Sequence, residues 1–313
     1  MKYPMKLQGV CKDYLWGGKK LKQCYSKKSE SENIAESWEL CCHPDGKSII
    51  LNGAYKNKYL SDYLASSDIN ALGTCVSDNQ FPLLTKLIDT IYNLSIQVHP
   101  DDVYAMKNEN QLGKTEFWYV IDSQPGASLS YGFSKQIGKN EFIKRAKEGT
   151  ITKVLNSVTV KPGDVFLIKP GTVHAIGKNM TIAEIGTNCN ITYRIYDYNR
   201  KDADGHSRPL HIEQSSDAVQ FGLPYNYSFD ENNRIDCGTF VVEKKTVQCN
   251  ETFSTANETF HHILCVDGNG LIRSSDCDDV EICKGSSVFI PAGMGTYHVL
   301  GKCDLLITTC KHK

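Results

Sequence analysis

The side chains of Gln97, His99, Lys114, Glu116 and His174 have the types and spacing to hold a metal ion and to handle protons beside it. In LSIQVHPDD, Leu94, Ile96 and Val98 alternate with Ser95, Gln97 and His99, the period of a strand. Residues two apart on a strand point the same way, so Gln97 and His99 project together. A second strand over Thr115–Ile121 puts Lys114, Glu116 and Trp118 on one face. If these strands are neighbours, the shared face carries imidazole, carboxamide, carboxylate and ammonium. His174, after the turn in GDVFLIKPGTVH, adds a second imidazole. Two nitrogens and one carboxylate oxygen, with the weaker carbonyl of Gln97, suit a zinc-type site that keeps a position open. The set lacks a thiolate; zinc is the first choice, and manganese, iron and cobalt also fit. Each residue alone reads more readily as a hydrogen-bonded turn or strand residue; only the four together favour a metal.

Two cations accompany this set. Lys114 is either a solvated strand-end lysine or a group directed at a metal-bound substrate. Arg194 lies in the apolar and aromatic strand ITYRIYDY. A guanidinium there needs a carboxylate such as Asp197 or Glu184, or an anionic ligand.

The elements that must position these residues follow from the chain around them. Pro100-Asp101-Asp102 starts a short helix through Tyr104, Ala105 and Met106 that ends near Gly113. Upstream, Ala35–Cys41, the turn His43-Pro44-Asp45-Gly46 and Ser48–Leu51 read as strand, turn and returning strand, with Glu36 and Trp38 as candidates to line a cleft. Leu60, Tyr63, Leu64, Ile69 and Leu72 have helical spacing over Tyr59–Leu72. Phe81–Ile91 is strand-like. Lys139–Glu148 is a charged amphipathic helix closed by Gly149. Thr181–Ile185 and Ile191–Tyr198 form a strand pair that continues the sheet, and Glu213–Phe221 is a short helix. The loop Asn199–Pro209 holds Asp202-Ala203-Asp204-Gly205, which lacks the third Asp and closing Glu of a calcium loop.

An internal repeat sets the expected architecture. Gly163–His174 and Gly285–His298 both run glycine, apolar strand, Pro/Gly turn, strand, histidine. This pattern resembles the second sequence motif of cupins, small jelly-roll barrels. The expected fold is mainly β, two cupin-like jelly-roll barrels with added helices. Residues 1–224 would form a catalytic domain with helical insertions, and 225–313 a cupin-like domain without a metal site, since His261 and His262 are followed by no Glu at a fitting distance.

Composition excludes several functions. The 313 residues are 40% hydrophobic, enough for a sizeable core, and the net charge of -1 gives no footprint for nucleic acid or an anionic membrane. MKYPMKLQGV has no apolar signal core, and no apolar run is long enough to span a bilayer. The 13 cysteines form no CxxC pair and read as reduced thiols of a cytoplasmic protein.

LSIQVHPDD, GKTEFWYVID, GTVHAIG and EIGTNCNITYRIYDYNR resemble the signature segments of type I mannose-6-phosphate isomerases, in particular the short, Firmicutes-like bacterial form; WGG near the start, AESWEL and RPLHIE are similar too. The resemblance runs from about residue 10 to 220 and is weaker beyond. It implies one zinc per chain on Gln97, His99, Glu116 and His174, with Arg194 and Lys114 as active-site residues. It implies interconversion of mannose 6-phosphate and fructose 6-phosphate through an enediol, with a small sugar phosphate as the partner. Gly186 and Cys189 depart from the Gln and Ser that relatives often carry there. A metal-dependent cupin oxygenase and a non-catalytic sugar-binding cupin are the alternatives.

Overall fold

The computed structural model describes residues 2–66, 70–76, 80–202, 204–224, 226–275 and 277–311. The fold is mainly β and the chain forms two compact units. One comprises Met1–Lys12, Lys19–Leu87 and Phe229–Lys313; the other comprises Asp13–Gly18 and Ile88–Ser228. Most residues ahead of Leu87 therefore group with the C-terminal segment. The physical reason is strand pairing: Met5–Gln8 lies antiparallel to Ser287–Ile290 and, on its other side, to Ile49–Ile50.

The first unit is built on a nine-stranded antiparallel sheet in which the long strands His261–Ser274 and Gly295–Cys310 pair along most of their length. Its interior is filled by Val247, Ile263, Ile272, Val288, Tyr297, Leu305 and their neighbours. The expected hairpin at 35–51 is corrected. Glu36–Leu40 pairs with Val10–Lys12, and Ile49–Ile50 pairs with Met5–Gln8. The turn between Glu36–Leu40 and Ile49–Ile50 is closed at Cys41 and Ser48: Ser48 N donates to Cys41 O at 2.9 Å, and the Ser48 hydroxyl accepts from Cys41 N and donates to Glu39 O. The expected helix from Tyr59 is also shorter, Leu60–Leu64. Ala71 and Leu72 are not helical, and Ile69 lies outside the described residues.

The second unit holds the candidate site between two sheets. One is five-stranded, in the order Tyr193–Tyr196, Ile96–Val98, His174–Ala175, Ser128–Phe133, Leu155–Thr159. The other places Glu116–Ser123 between Val165–Ile168 and Met180–Thr187. Alternation explains the first sheet. Ile96, Val98, Ala175, Tyr193 and Ile195 are buried with Phe142, Ala146 and Ile151 of the covering helical segments. Burying each large apolar side chain contributes roughly 1.5–3 kcal/mol, which fixes which face turns outward. The intervening Gln97, His174 and Arg194 must then face the other way.

Two sequence expectations change here. The strands carrying His99 and Glu116 are not side by side but belong to different sheets. Likewise, Met180–Thr187 and Tyr193–Tyr196 do not pair. Short apolar strands carry period but not partner, and the pairing is decided by the inner faces of both sheets at once.

Candidate metal centre

Register brings the first set of residues together. Gln97 lies opposite His174 on one side and Arg194 on the other, so the three form a row across the sheet. His99 follows at the end of its strand, where Asp101 caps the helix Asp102–Glu109 by accepting from Tyr104 N at 2.8 Å. The chain then returns against its own start. Gly113 N donates to Asp102 Oδ1 at 2.9 Å and Lys114 N to Pro100 O at 3.1 Å. A Cβ at Gly113 would lie 2.4 Å from the Asp101 carbonyl carbon, so only glycine allows the approach that delivers Lys114.

The opposing sheet supplies Glu116, with Trp118 and Glu184 alongside in register. Glu116 and His174 are 0% exposed, His99 1% and Lys114 3%. His99 Nε2 is 3.3 Å from Glu116 Oε1, and His174 Nε2 is 3.7 Å from Oε2. One ligand atom from each of the three residues lies within 4.8 Å of the others. Gln97 brings its amide 3.3 Å from His174 Nε2; a half-turn of that amide presents its oxygen instead.

Both imidazoles are turned the same way by backbone carbonyls. His99 Nδ1 donates to Ile191 O at 2.7 Å and His174 Nδ1 to Thr172 O at 2.8 Å, which leaves each Nε2 lone pair directed inward. Burial, and after it the neighbouring His99, pushes the His174 pKa down to about 3, so its imidazole is neutral at ordinary pH. Burial works to raise the Glu116 carboxyl, but Lys114, His99 and His174 together hold it well below the usual carboxylate range. His99 Nε2 and both Glu116 oxygens are buried without a well-formed hydrogen bond, although the Lys114 ammonium touches Oε1. Buried polar atoms left this way are costly unless something else satisfies them. Two inward nitrogens, a carboxylate and an amide fit a divalent cation with a position to spare.

The structure thus places Gln97, His99, Glu116, His174 and Lys114 at one point and Arg194 in the same row. Sequence reasoning named Glu184 only as a partner for Arg194. Instead it sits 3.5 Å from Lys114 Nζ and accepts from Trp118 Nε1 at 3.3 Å. The available signal was a glutamate inside the apolar run MTIAEIG. Trp118 also packs edge-on against His174, with ring centroids 5.3 Å apart. Asp197 is taken by Arg200 and Arg208. Asp202, Asp204 and His206 do cluster, but all three are exposed.

A double-sheet β unit with a buried His–Glu–His set and an amide donor defines a cupin with a metal-type centre. Residues 5–119 match the family described as phosphomannose isomerase type I, catalytic domain, and residues 231–310 match the mannose-6-phosphate isomerase cupin domain. The mannose-6-phosphate isomerase ManA of Bacillus subtilis is 34% identical over 97% of this chain and 98% of its own length. The mannose-6-phosphate isomerase of Streptococcus mutans is 41% identical over 72% of this chain and 71% of its own. A crystal structure of the B. subtilis mannose 6-phosphate isomerase superposes with a TM-score of 0.89 at 31% identity, covering 98% of this chain and 99% of the other. The chain belongs to the type I mannose-6-phosphate isomerase family.

Proposed function

We propose that this protein interconverts D-mannose 6-phosphate and D-fructose 6-phosphate, with one zinc ion held by Gln97, His99, Glu116 and His174. The observation that carries the reading is the buried His99–Glu116–His174 cluster with Lys114 against it. An open-chain aldose must lose the proton on C2 and regain one on C1, through an enediol, and the oxygens on those carbons gain charge on the way. A bound zinc ion supplies Lewis acidity to such oxygens. The protein's own groups do the rest. The carbonyls of Ile191 and Thr172 orient the two imidazoles. Lys114, held between Glu116 and Glu184, donates or accepts a proton at Nζ or binds anionic oxygen. Arg194, on the same face as Gln97, steadies the phosphate or the enediolate. Trp118 covers His174 and keeps water from that side.

The catalytic role belongs to residues 1–224, and residues 225–313 serve as a cupin-like domain without a metal. In support, His298 is tied to Thr252 Oγ1 at 3.0 Å and His262 to Ser287 Oγ at 2.9 Å, and apolar side chains fill the interior. We place the protein in the reducing cytoplasm, where buried thiols such as Cys41, Cys189 and Cys265 stay reduced. Among the described residues, no helix is long and apolar enough to cross a membrane. The test is metal content alongside turnover, read by coupling fructose 6-phosphate formation to a dehydrogenase, before and after chelation. Activity that tracks zinc on removal and return supports the reading. Full turnover in zinc-free protein, or oxygen consumption in place of isomerisation, overturns it.

A further inference from the structure

We infer that Arg208 and Asp197 are positioning residues that set the guanidinium of Arg194; this rests on the role given to Arg194 above. Asp197 is 5% exposed and both its oxygens are engaged. Arg208 Nε donates to Oδ2 at 2.8 Å and Arg208 Nη2 to Oδ1 at 2.6 Å, while Arg200 Nη2 also reaches Oδ1. The Arg208 guanidinium lies 4.9 Å from the centroid of the Trp16 ring. A two-pronged carboxylate in its plane and an indole on its face leave that group little freedom to turn.

The consequence passes along the backbone. The next residue is Pro209, whose carbonyl accepts from Arg194 Nη1 at 2.9 Å. Two residues further, His211 N donates to Arg194 O at 2.7 Å and His211 Nδ1 accepts from Arg194 N at 3.1 Å. Residues 208–211 are thus pinned at Arg208 by Asp197 and Trp16, and at His211 by the Arg194 backbone. Between the pins, the Pro209 carbonyl directs the Arg194 side chain. Among the described residues Arg194 Nε is buried with no hydrogen-bond partner, so the Pro209 carbonyl, with the ligand that Arg194 meets, directs the guanidinium. An arginine fixed in advance loses less freedom when an anionic ligand arrives. Arg208 spends its own fork on Asp197, so it acts through Arg194 and not on the substrate.

The test is a double-mutant cycle on full-length, zinc-loaded protein with Arg208→Lys, Asp197→Asn, Arg194→Lys and the R194K/R208K pair, measuring kcat, KM for mannose 6-phosphate, zinc content and melting. Lysine keeps the charge at 208 but loses the fork and the stack. R208K is expected to lower kcat/KM about 10- to 100-fold, as a displaced positioning group does, in the same parameter that R194K moves and with zinc content unchanged. In the R194K background, R208K should cost no more than about 2-fold, because the two act as one unit. A loss that persists in full in that background, or wild-type kcat/KM in R208K, overturns the inference. If R208K does not fold, D197N enters the same cycle in its place and is read by the same criteria. Wild-type kcat/KM in R194K would overturn the role of Arg194 itself, and the inference with it. That result is distinct from a loss in R194K to which R208K adds independently.

Discussion

Replacing Glu116 by Gln removes one negative charge from the centre of the site and changes its shape by almost nothing. Glu116 is 0% exposed and faces His99 Nε2 at 3.3 Å and His174 Nε2 at 3.7 Å, so solvent has no direct route to replace it. Loss of groups that merely orient a ligand costs about 10- to 100-fold in metal affinity, and loss of a ligand charge is expected to reach at least the upper figure. At a free zinc concentration about 100-fold above the wild-type Kd, binding stabilises the protein by about 2.7 kcal/mol. With Kd about 100-fold weaker, the same zinc stabilises E116Q by only about 0.4 kcal/mol. The difference of about 2.3 kcal/mol corresponds to roughly 5–9 °C of zinc-induced rise in melting temperature. The metal-free variant should stay folded, because Lys114 keeps Glu184 at 3.5 Å and is not left as a lone buried charge, the case that costs about 3–5 kcal/mol. The assay is a thermal melt with and without zinc, with metal analysis and coupled turnover on the same samples. The expectation is a wild-type response to zinc that E116Q loses, together with both metal and activity. Stoichiometric zinc and wild-type turnover in E116Q would refute the ligand assignment.

Further outcomes follow from the same geometry. Lys114→Met should retain zinc while kcat falls by about 10²–10⁴-fold, as removal of an acid/base group does; unchanged kcat would return Lys114 to a purely structural role. Gly113→Ala should push the Asp101 backbone, 2.4 Å from the added Cβ, and displace Lys114; it is expected to lower both stability and kcat, and a variant with wild-type kinetics would show that the close approach is not required. His262 is 0% exposed between Thr85 and Ser287, and burial lowers its pKa to about 3. Between the ordinary histidine value and about 3 the unfolded chain binds a proton at this residue that the folded chain does not, so stability is fully present above that window and falls as pH drops through it. Denaturant unfolding at pH 7.5 and pH 5.5 should show a loss of up to about 1.4 kcal/mol per pH unit from this group, reduced in His262→Leu; an identical slope in the variant would exclude His262 as the source.

How much of this could be read without coordinates is seen in particular residues. The period of a strand pairs Gln97 with His99, and Pro100-Asp101-Asp102 marks the start of the helix that follows. The same two-residue spacing pairs Lys114 with Glu116. The repeated Pro/Gly-turn-histidine pattern picks out His174. These are local properties: backbone periodicity and turn chemistry act within a few residues and are written directly in the chain. What local pattern did not reveal is which strands are neighbours. The segments bearing His99 and Glu116 face each other from separate sheets, and Glu36–Leu40 pairs with Val10–Lys12 in place of its nearer neighbour Ile49–Ile50. Glu184 shows why. In sequence it is one acid in an apolar strand, free to serve Arg194 or nothing; in the fold it is held against Lys114 and Trp118.

Sequence by itself determined the donor types, the face each occupies on its strand, and the presence of two barrel motifs. Only the tertiary structure decided that Asp197 closes on Arg208 and not on Arg194, that Ile191 and Thr172 aim the imidazoles, and that Met1–Lys12 and Lys19–Leu87 group with the C-terminal segment. The reason is that strand partnership and carbonyl direction depend on the simultaneous burial of surfaces far apart in the chain, a condition no local window contains.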